Sequence, residues 1–228
     1  MLRVLRQAGA IACQVALLAG SVAAADPPEK GRLRILRHGQ LIGSERYEVV
    51  TTVTEVQTRG ELEITVDNTT VRQSSSLLLT AGLAPRHYEL KVEQPENTWR
   101  RVDFTGATAT ARYPLGDGKE DEQVFQFGAD RVVVLGLYHD FAMLARLYDF
   151  SKGGPQSIRV FVPWSLQPGE ALVEMKGVEK QTVNGREQAV RQLLIATEDS
   201  QIQLWVTEDG RFVRLVAPLE GVEVLPEP

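Results

Sequence analysis

Apolar and polar side chains alternate with a period of two along most of this chain, which is the pattern of half-buried β-strands. In Glu61–Asp67, Leu62, Ile64 and Val66 point one way, while Glu61, Glu63, Thr65 and Asp67 point the other. His87–Gln94 repeats the pattern, with Tyr88, Leu90 and Val92 set against His87, Glu89, Lys91 and Glu93. The same reading predicts strands at Arg32–Arg37, Glu45–Val56, Thr69–Leu79, Trp99–Thr105, Thr108–Tyr113 and Glu122–Phe127. Further along it predicts Ile158–Val162, Leu172–Val178, Ala189–Thr197, Gln201–Thr207 and Phe212–Ala217. His38-Gly39-Gln40, Val183-Asn184-Gly185-Arg186 and Glu208-Asp209-Gly210 are hairpin signals between them. Gly116-Asp117-Gly118-Lys119 reads as the start of an acidic, exposed loop running to Glu122, and the Pro-rich end from Leu225 to Pro228 reads as frayed. Short polar turns between this many strands predict a mainly β fold, either one curved antiparallel sheet or an unclosed β-barrel.

Asp140–Phe150 departs from the alternation. Phe141, Leu144, Ala145 and Tyr148 follow helical spacing, Asp140 suits an N-terminal cap, and Gly153-Gly154-Pro155 stops the chain soon afterwards. Met143, Leu147 and Phe150 make the opposite side apolar too. A helix apolar nearly all round wants burial on several sides, so the expectation is one helix packed on the concave side of the sheet.

The N-terminus supplies an address. Arg3 and Arg6 precede an apolar run from Ala8 to Ala19, and Ala23-Ala24-Ala25 closes it. Residues 1–25 therefore read as a signal peptide cut before Asp26, leaving 26–228 as one β-rich half-barrel domain exported to the periplasm. The apolar run is shorter than the roughly 20 residues of a spanning helix. The only cysteine, Cys13, falls inside the leader, so disulfides, cysteine-held zinc and thiol catalysis are excluded from the mature chain. Losing Arg3 and Arg6 from 25 basic residues, against 30 acidic ones, leaves a net charge of −7. Without a basic cluster such a chain is a poor nucleic-acid binder.

No motif carries chemistry. His38, His87 and His139 lie far apart, with no HExxH or HxH spacing, and no metal or cofactor is expected. There is no GxSxG or SxxK nucleophile, Ser74-Ser75-Ser76 needs only a solvated strand face, and Gly116-Asp117-Gly118-Lys119 lacks phosphate-loop spacing. Glu61 and Glu63 share a face as solvent-facing charges commonly do. His139-Asp140 is the only His–carboxylate neighbour pair, and its plainer account is a cap with His139 exposed. No catalytic residue is assigned, and the expectation is a protein that is not an enzyme.

An apolar excess remains. Ile202, Leu204, Val206, Val213 and Leu215 fall on one face, with Trp205, Phe212 and Val216 on the other; Phe161 opposes its aliphatic neighbours, and Trp164 follows Pro163. A covering helix accounts for much of this, and a cavity for an apolar ligand is the functional alternative.

The leader, the strand start Leu41–Val49, the Asp140–Phe150 segment running into Gly153-Gly154 and Ile158–Pro163, Asn184-Gly185, and Leu204–Leu215 together resemble an uncharacterised family of bacterial envelope proteins. That family is similar in layout to the lipoprotein localisation carriers. The resemblance covers most of the mature chain and implies a curved sheet of the eleven-strand type, an unclosed barrel whose hollow, partly plugged by helix, holds acyl chains. No functional residue is carried over from it. The expected function is a periplasmic binding module holding a lipid, acyl chain or other apolar ligand, with Phe141, Leu144, Tyr148, Phe161, Trp164 and Trp205 as candidate lining residues. The alternative is a structural or interaction protein of the envelope, with a protein partner and no small ligand.

Overall fold

The computed structural model describes residues 27–94, 97–128, 131–183 and 185–227; the leader expected at 1–25 lies outside them, as does Asn184 of one hairpin signal. The first half is a meander of β1 (Glu29–Arg37), β2 (Gln40–Thr51), β3 (Glu55–Val66), β4 (Thr69–Thr80), β5 (Pro85–Gln94), β6 (Thr98–Thr105), β7 (Thr108–Gly116) and β8 (Lys119–Gln126). After β9 (Val133–Val134), a 3₁₀ turn at Tyr138–Phe141 and α1 (Ala142–Leu147), the second half runs through β10 (Gln156–Val162), β11 (Gln167–Val183) and β12 (Arg186–Ala196). It ends with β13 (Gln201–Thr207), β14 (Phe212–Ala217) and β15 (Val222–Pro226).

All fifteen strands belong to one sheet, ordered β8-β7-β6-β5-β4-β3-β2-β1-β15-β14-β13-β12-β11-β10-β9. Every ladder is antiparallel except β9 with β10. All but one of the antiparallel neighbours are consecutive in sequence. The exception is the pairing of the first strand with the last, Leu33 opposite Pro226 through Arg37 opposite Val222. The sheet is curved and unclosed: among the described residues no ladder joins β8 to β9.

Its two ends nevertheless meet through side chains. Phe161 of β10 packs on Phe125 of β8 at 5.2 Å between ring centres, on Phe127 at 5.8 Å and on Phe104 of β6 at 6.2 Å. Strands at opposite ends of the order are thus joined by aromatic contact where hydrogen bonding stops.

The segment 131–150 lies inside the curl. From it, Tyr138 reaches β2, Asp140 reaches β3, Arg146 reaches both β1 and the turn after β13, and Tyr148 reaches β11. One short stretch touches strands of both halves only because the sheet wraps around it. Ala142, Met143, Leu144, Ala145 and Tyr148 are buried in one core with the inward rows of the strands. We call this segment the plug.

Several expectations are corrected. The strand read as Glu45–Val56 is two strands, because the Thr52 hydroxyl accepts from the N–H groups of Thr54 and Glu55 and turns the chain without glycine or asparagine. The acidic loop to Glu122 is a tight turn, with Asp117 at φ 51° and Gly118 at φ 72°, followed by β8. The end of the chain is not frayed through residue 227: β15 pairs on both sides, and Val224 is fully buried. The helix expected over Asp140–Phe150 is a 3₁₀ turn plus six α-helical residues, ending where Tyr148 turns extended. The sheet has fifteen strands, not the eleven that the resemblance implied.

Because β15 is the seam between the two meanders, removing 222–228 should separate them. We expect the truncated chain to lose cooperative thermal unfolding, followed by far-UV circular dichroism. A melt unchanged from the full chain would contradict the seam.

Candidate functional site

Parity along the strands puts polar groups on the inward side at one level of the curl. On β2, Glu45 and Tyr47 share that side with buried Val49, and on β3 Thr58 and Gly60 share it with Val56 and Leu62. Tyr88 of β5 lies on the same side and is fully buried. Opposite them comes the plug's 3₁₀ turn.

Glu45 is the anchor. Its carboxylate accepts the N–H groups of Tyr138 at 2.8 Å and His139 at 3.0 Å, the orphan donors at the start of that turn, and the His139 ring at 2.7 Å through Nδ1. Asp140 holds the same turn from within, accepting the N–H groups of Gly136 at 3.1 Å and Leu137 at 2.9 Å and the Thr58 hydroxyl at 3.3 Å. The oxygen that accepts Thr58, Oδ1, also lies 3.2 Å from His139 Nε2, within ion-pair range but not aligned for a hydrogen bond. Asp140 therefore caps the turn and not α1, and His139, expected to be exposed, is 1% exposed between two carboxylates that are 0% exposed. Tyr47 stacks on the imidazole at 5.3 Å with the rings 8° apart.

Two glycines create the space. A Cβ on Gly60 would sit 2.7 Å from His139 Cε1, and one on Gly136 would overlap the Tyr88 hydroxyl. That hydroxyl is buried with no hydrogen-bond partner among the described residues.

Burial alone would push the His139 pKa down, but the charge of Asp140 and the hydrogen bond and charge of Glu45 outweigh it and raise the value to about 9. The ring is an imidazolium at neutral pH. Burial raises Asp140 above the ordinary carboxyl range, against the pull of His139 and of the two N–H donors. Tyr88 and Tyr138 are also raised, first by burial and then by the charges of Asp140 and Glu45 respectively. Tyr47 is raised by burial and by Glu29, to which its hydroxyl donates at 3.4 Å. Glu29 also accepts Arg146 of α1 at 2.7 Å, with both side chains mostly buried. The plug is thus tied to β1 and β2 by charge at two points.

The arrangement can hold a charge and a conformation. It offers no surface to a substrate while the ring is 1% exposed, and both carboxylates are already occupied by N–H and O–H donors. No group of three or more His, Cys, Asp and Glu among the described residues has the disposition of a metal site.

The six candidate lining residues are not gathered around one cavity. Leu144, Tyr148 and Phe161 are in the main core, with Phe141 partly buried against it. Trp205 belongs to a separate cluster with Val190 and Val213, and Trp164 is 50% exposed, 5.9 Å from the Arg100 guanidinium of β6, near the other end of the strand order. Sequence reasoning missed Glu45. Its signal was parity: Gly43, Glu45, Tyr47 and Val49 share one side of β2, so a carboxylate stands where an apolar group is expected.

No family model matches the sequence, and no curated protein matches it either. One solved structure, described as a beta-barrel-like protein of domain of unknown function DUF1849 from Brucella abortus, superposes with a TM-score of 0.59 at 9% identity. The match covers 88% of this chain and 94% of the other. The fold is β-barrel-like. At that identity the likeness extends to fold alone, an unclosed barrel of uncharacterised type. Among the described residues no helix is long and apolar enough to cross a membrane.

The His139 shift has a sign. A pKa raised from 6.5 to about 9 gives stability that is fully present below pH 6.5 and is lost as pH rises through 9, at most about 3 kcal/mol. We expect the thermal midpoint to fall between pH 7 and pH 10, and more steeply than in His139→Gln, which starts lower. Parallel profiles for the two proteins would contradict a charged His139.

Proposed function

We propose that this chain is an exported, non-catalytic binding module of the bacterial envelope that holds a lipid, acyl chain or other apolar ligand inside its curved sheet. The observation that carries this reading is the plug. The interior is occupied by a segment that contributes only two residues to the sheet, and much of its polar anchoring comes from side-chain charges on β1 and β2. Withdrawing such a segment exposes the apolar inward rows without breaking the β1–β8 or β10–β15 ladders.

Energetics support a latch over a permanent filling. Burying three ionisable groups often costs more than filling the same space with apolar side chains, and a well-attested use of such groups is to specify one conformation. Here they specify where the plug sits. The leader at 1–25 supports export to the periplasm, and the layout resembles that of the lipoprotein localisation carriers, whose hollow takes acyl chains. A second reading, an envelope interaction protein with a permanently filled core, is favoured by the complete burial of Leu144 and Phe161.

Glu45→Gln distinguishes the two. The substitution keeps the shape but removes the charge that holds the turn, so the carrier reading expects raised uptake of a fluorescent fatty acid with the far-UV spectrum retained. Native mass spectrometry of the periplasmic protein should then reveal an apolar adduct. A lowered thermal midpoint with no uptake by either protein would leave the filled-core reading standing.

A further inference from the structure

A second site lies at the end of the curl where β6 begins and where β7 and β10 stop. There Arg100 stands on the inward side of β6, in one row with buried Val102 and Phe104. The arginines that face outward beside it are paired: Arg101 with Glu89 at 3.0 Å, and Arg112 of β7 with Asp103 and Glu122 at 2.9 Å each. Arg100 has no carboxylate partner among the described residues and meets two rings instead. Its guanidinium carbon lies 5.4 Å from the ring centre of Tyr113 on β7 and 5.9 Å from that of Trp164, in the turn between β10 and β11.

Ring faces hold a guanidinium by its plane and leave the N–H groups at its edge to be satisfied. Nη1 donates to the Trp99 carbonyl at 2.9 Å and to the Thr98 hydroxyl at 3.2 Å, both neutral acceptors. Nε is buried with no acceptor among the described residues. Burial lowers the Arg100 pKa, Tyr113 opposes that shift, and no carboxylate adds to the opposition. Asp121, the carboxylate that Tyr113 reaches, is already engaged: Oδ2 accepts the tyrosine hydroxyl at 3.1 Å and Oδ1 the Glu122 N–H at 2.9 Å. The edge of the fork therefore lacks one anion. Apolar groups stand close by, with Trp164 half exposed and Leu115, two residues beyond Tyr113, more exposed still. Four residues along β6 from Arg100, about 13 Å at strand spacing, Phe104 meets Phe127 and Phe161. The inward row thus runs from a cation at the rim to the aromatic seam inside.

We propose that the ligand of the interior is an anionic amphiphile whose oxyanion head, a carboxylate or a phosphate, is held on the Nε edge of Arg100 between Tyr113 and Trp164, with its tail running inward along Phe104 and Phe161. The proposal rests on the reading of the interior as a binding hollow and adds the class of head group to it. A bare anion would gain the guanidinium but not the exposed indole beside it, and a neutral lipid would gain the rings but leave Nε unsatisfied. Trp164 sits in a turn, so its ring can shift to admit the head without breaking a ladder. The two sites divide the work: Glu45 governs whether the interior opens, and Arg100 which head group it takes.

The test is isothermal titration calorimetry of the full chain, and of its Glu45→Gln variant, with decanoate, decyl phosphate, decan-1-ol, acetate and inorganic phosphate. Decanoate and decyl phosphate should bind about tenfold or more tighter than decan-1-ol, the value of a charge-assisted hydrogen bond. Acetate and inorganic phosphate should not bind in the same range. Arg100→Gln should bring decanoate down to the level of decan-1-ol, and Arg100→Lys, which keeps the charge but not the fork, should fall between. Equal binding of acid and alcohol overturns the head-group assignment and leaves the apolar hollow standing, whereas no binding of either to either protein overturns both. Neither outcome depends on a variant at Arg100. Binding of acetate or inorganic phosphate as tight as that of decanoate would also overturn the proposal, since the site would then take a free oxyanion without a tail. So would a preference for the acid that survives Arg100→Gln.

Discussion

The architecture depends on one non-local pairing, that of β1 with β15. All the other antiparallel ladders form between neighbours in sequence, at the modest entropic cost of closing a hairpin. Joining the first strand to the last closes a loop of nearly two hundred residues and converts two separate meanders into one sheet. A sheet this wide cannot remain flat, because strand twist accumulates, so it curls until its ends approach. Phe161 then finds Phe104, Phe125 and Phe127, and the segment linking β8 to β10 is left no room except inside. The plug is in that sense a product of the topology: the chain that crosses from one end of the sheet to the other must traverse the space the sheet encloses.

Traversing an interior exposes backbone donors to a medium without water, and the latch answers that need first. Four N–H groups, those of Gly136, Leu137, Tyr138 and His139, are satisfied by Asp140 and Glu45, two carboxylates where neutral acceptors would have sufficed. Two negative charges then require a positive one, which His139 supplies from the same turn. Burial raises the Asp140 pKa first of all, and the Glu45 charge adds to it, against the pull of His139. Anchoring that depends on charge responds to charge, whereas the packing of Leu144 beneath it does not. This difference separates a plug that can be withdrawn from a core that is merely filled.

How much of this the sequence discloses follows from where each signal is local. The alternation at Glu61–Asp67 and His87–Gln94 is local, and both segments lie in strands with Leu62, Tyr88 and Leu90 buried. β8 is read only from Glu122 on, where Phe125 is buried; its start, Lys119–Asp121, escapes because that charged run is exposed and has no alternation to display. The turn at Thr52 hides in a β-branched run and depends on a hydroxyl, not on a glycine. β15, with Pro226 near its end, looks like a tail until β1 is beside it. His139 and Glu45 are 94 residues apart, and neither has a neighbour that predicts the other. Burial of the imidazole is a tertiary fact, and only the inward parity of Glu45 hints at it. The candidate lining residues divide on the same principle: Leu144, Tyr148 and Phe161 are core by local pattern, while Trp205 and Trp164 depend on which face the curl turns outward.

A gap between β14 and β15 is the other consequence of the first-to-last pairing. A strand can follow two diverging neighbours only for as long as they stay within hydrogen-bonding distance, and β15 follows β1 beyond the point where it leaves β14. The β14–β15 ladder therefore stops at Leu215 opposite Val224, and Pro226, with no N–H to donate, follows just beyond it. Arg214 is committed to Glu223, and Arg34, whose Nε is buried without an acceptor among the described residues, lines the gap that opens there. Two positions along β1, Arg32 pairs with Glu227. An unsatisfied buried Nε is a cost to the chain, and it falls where the first-to-last pairing pulls β15 away from β14.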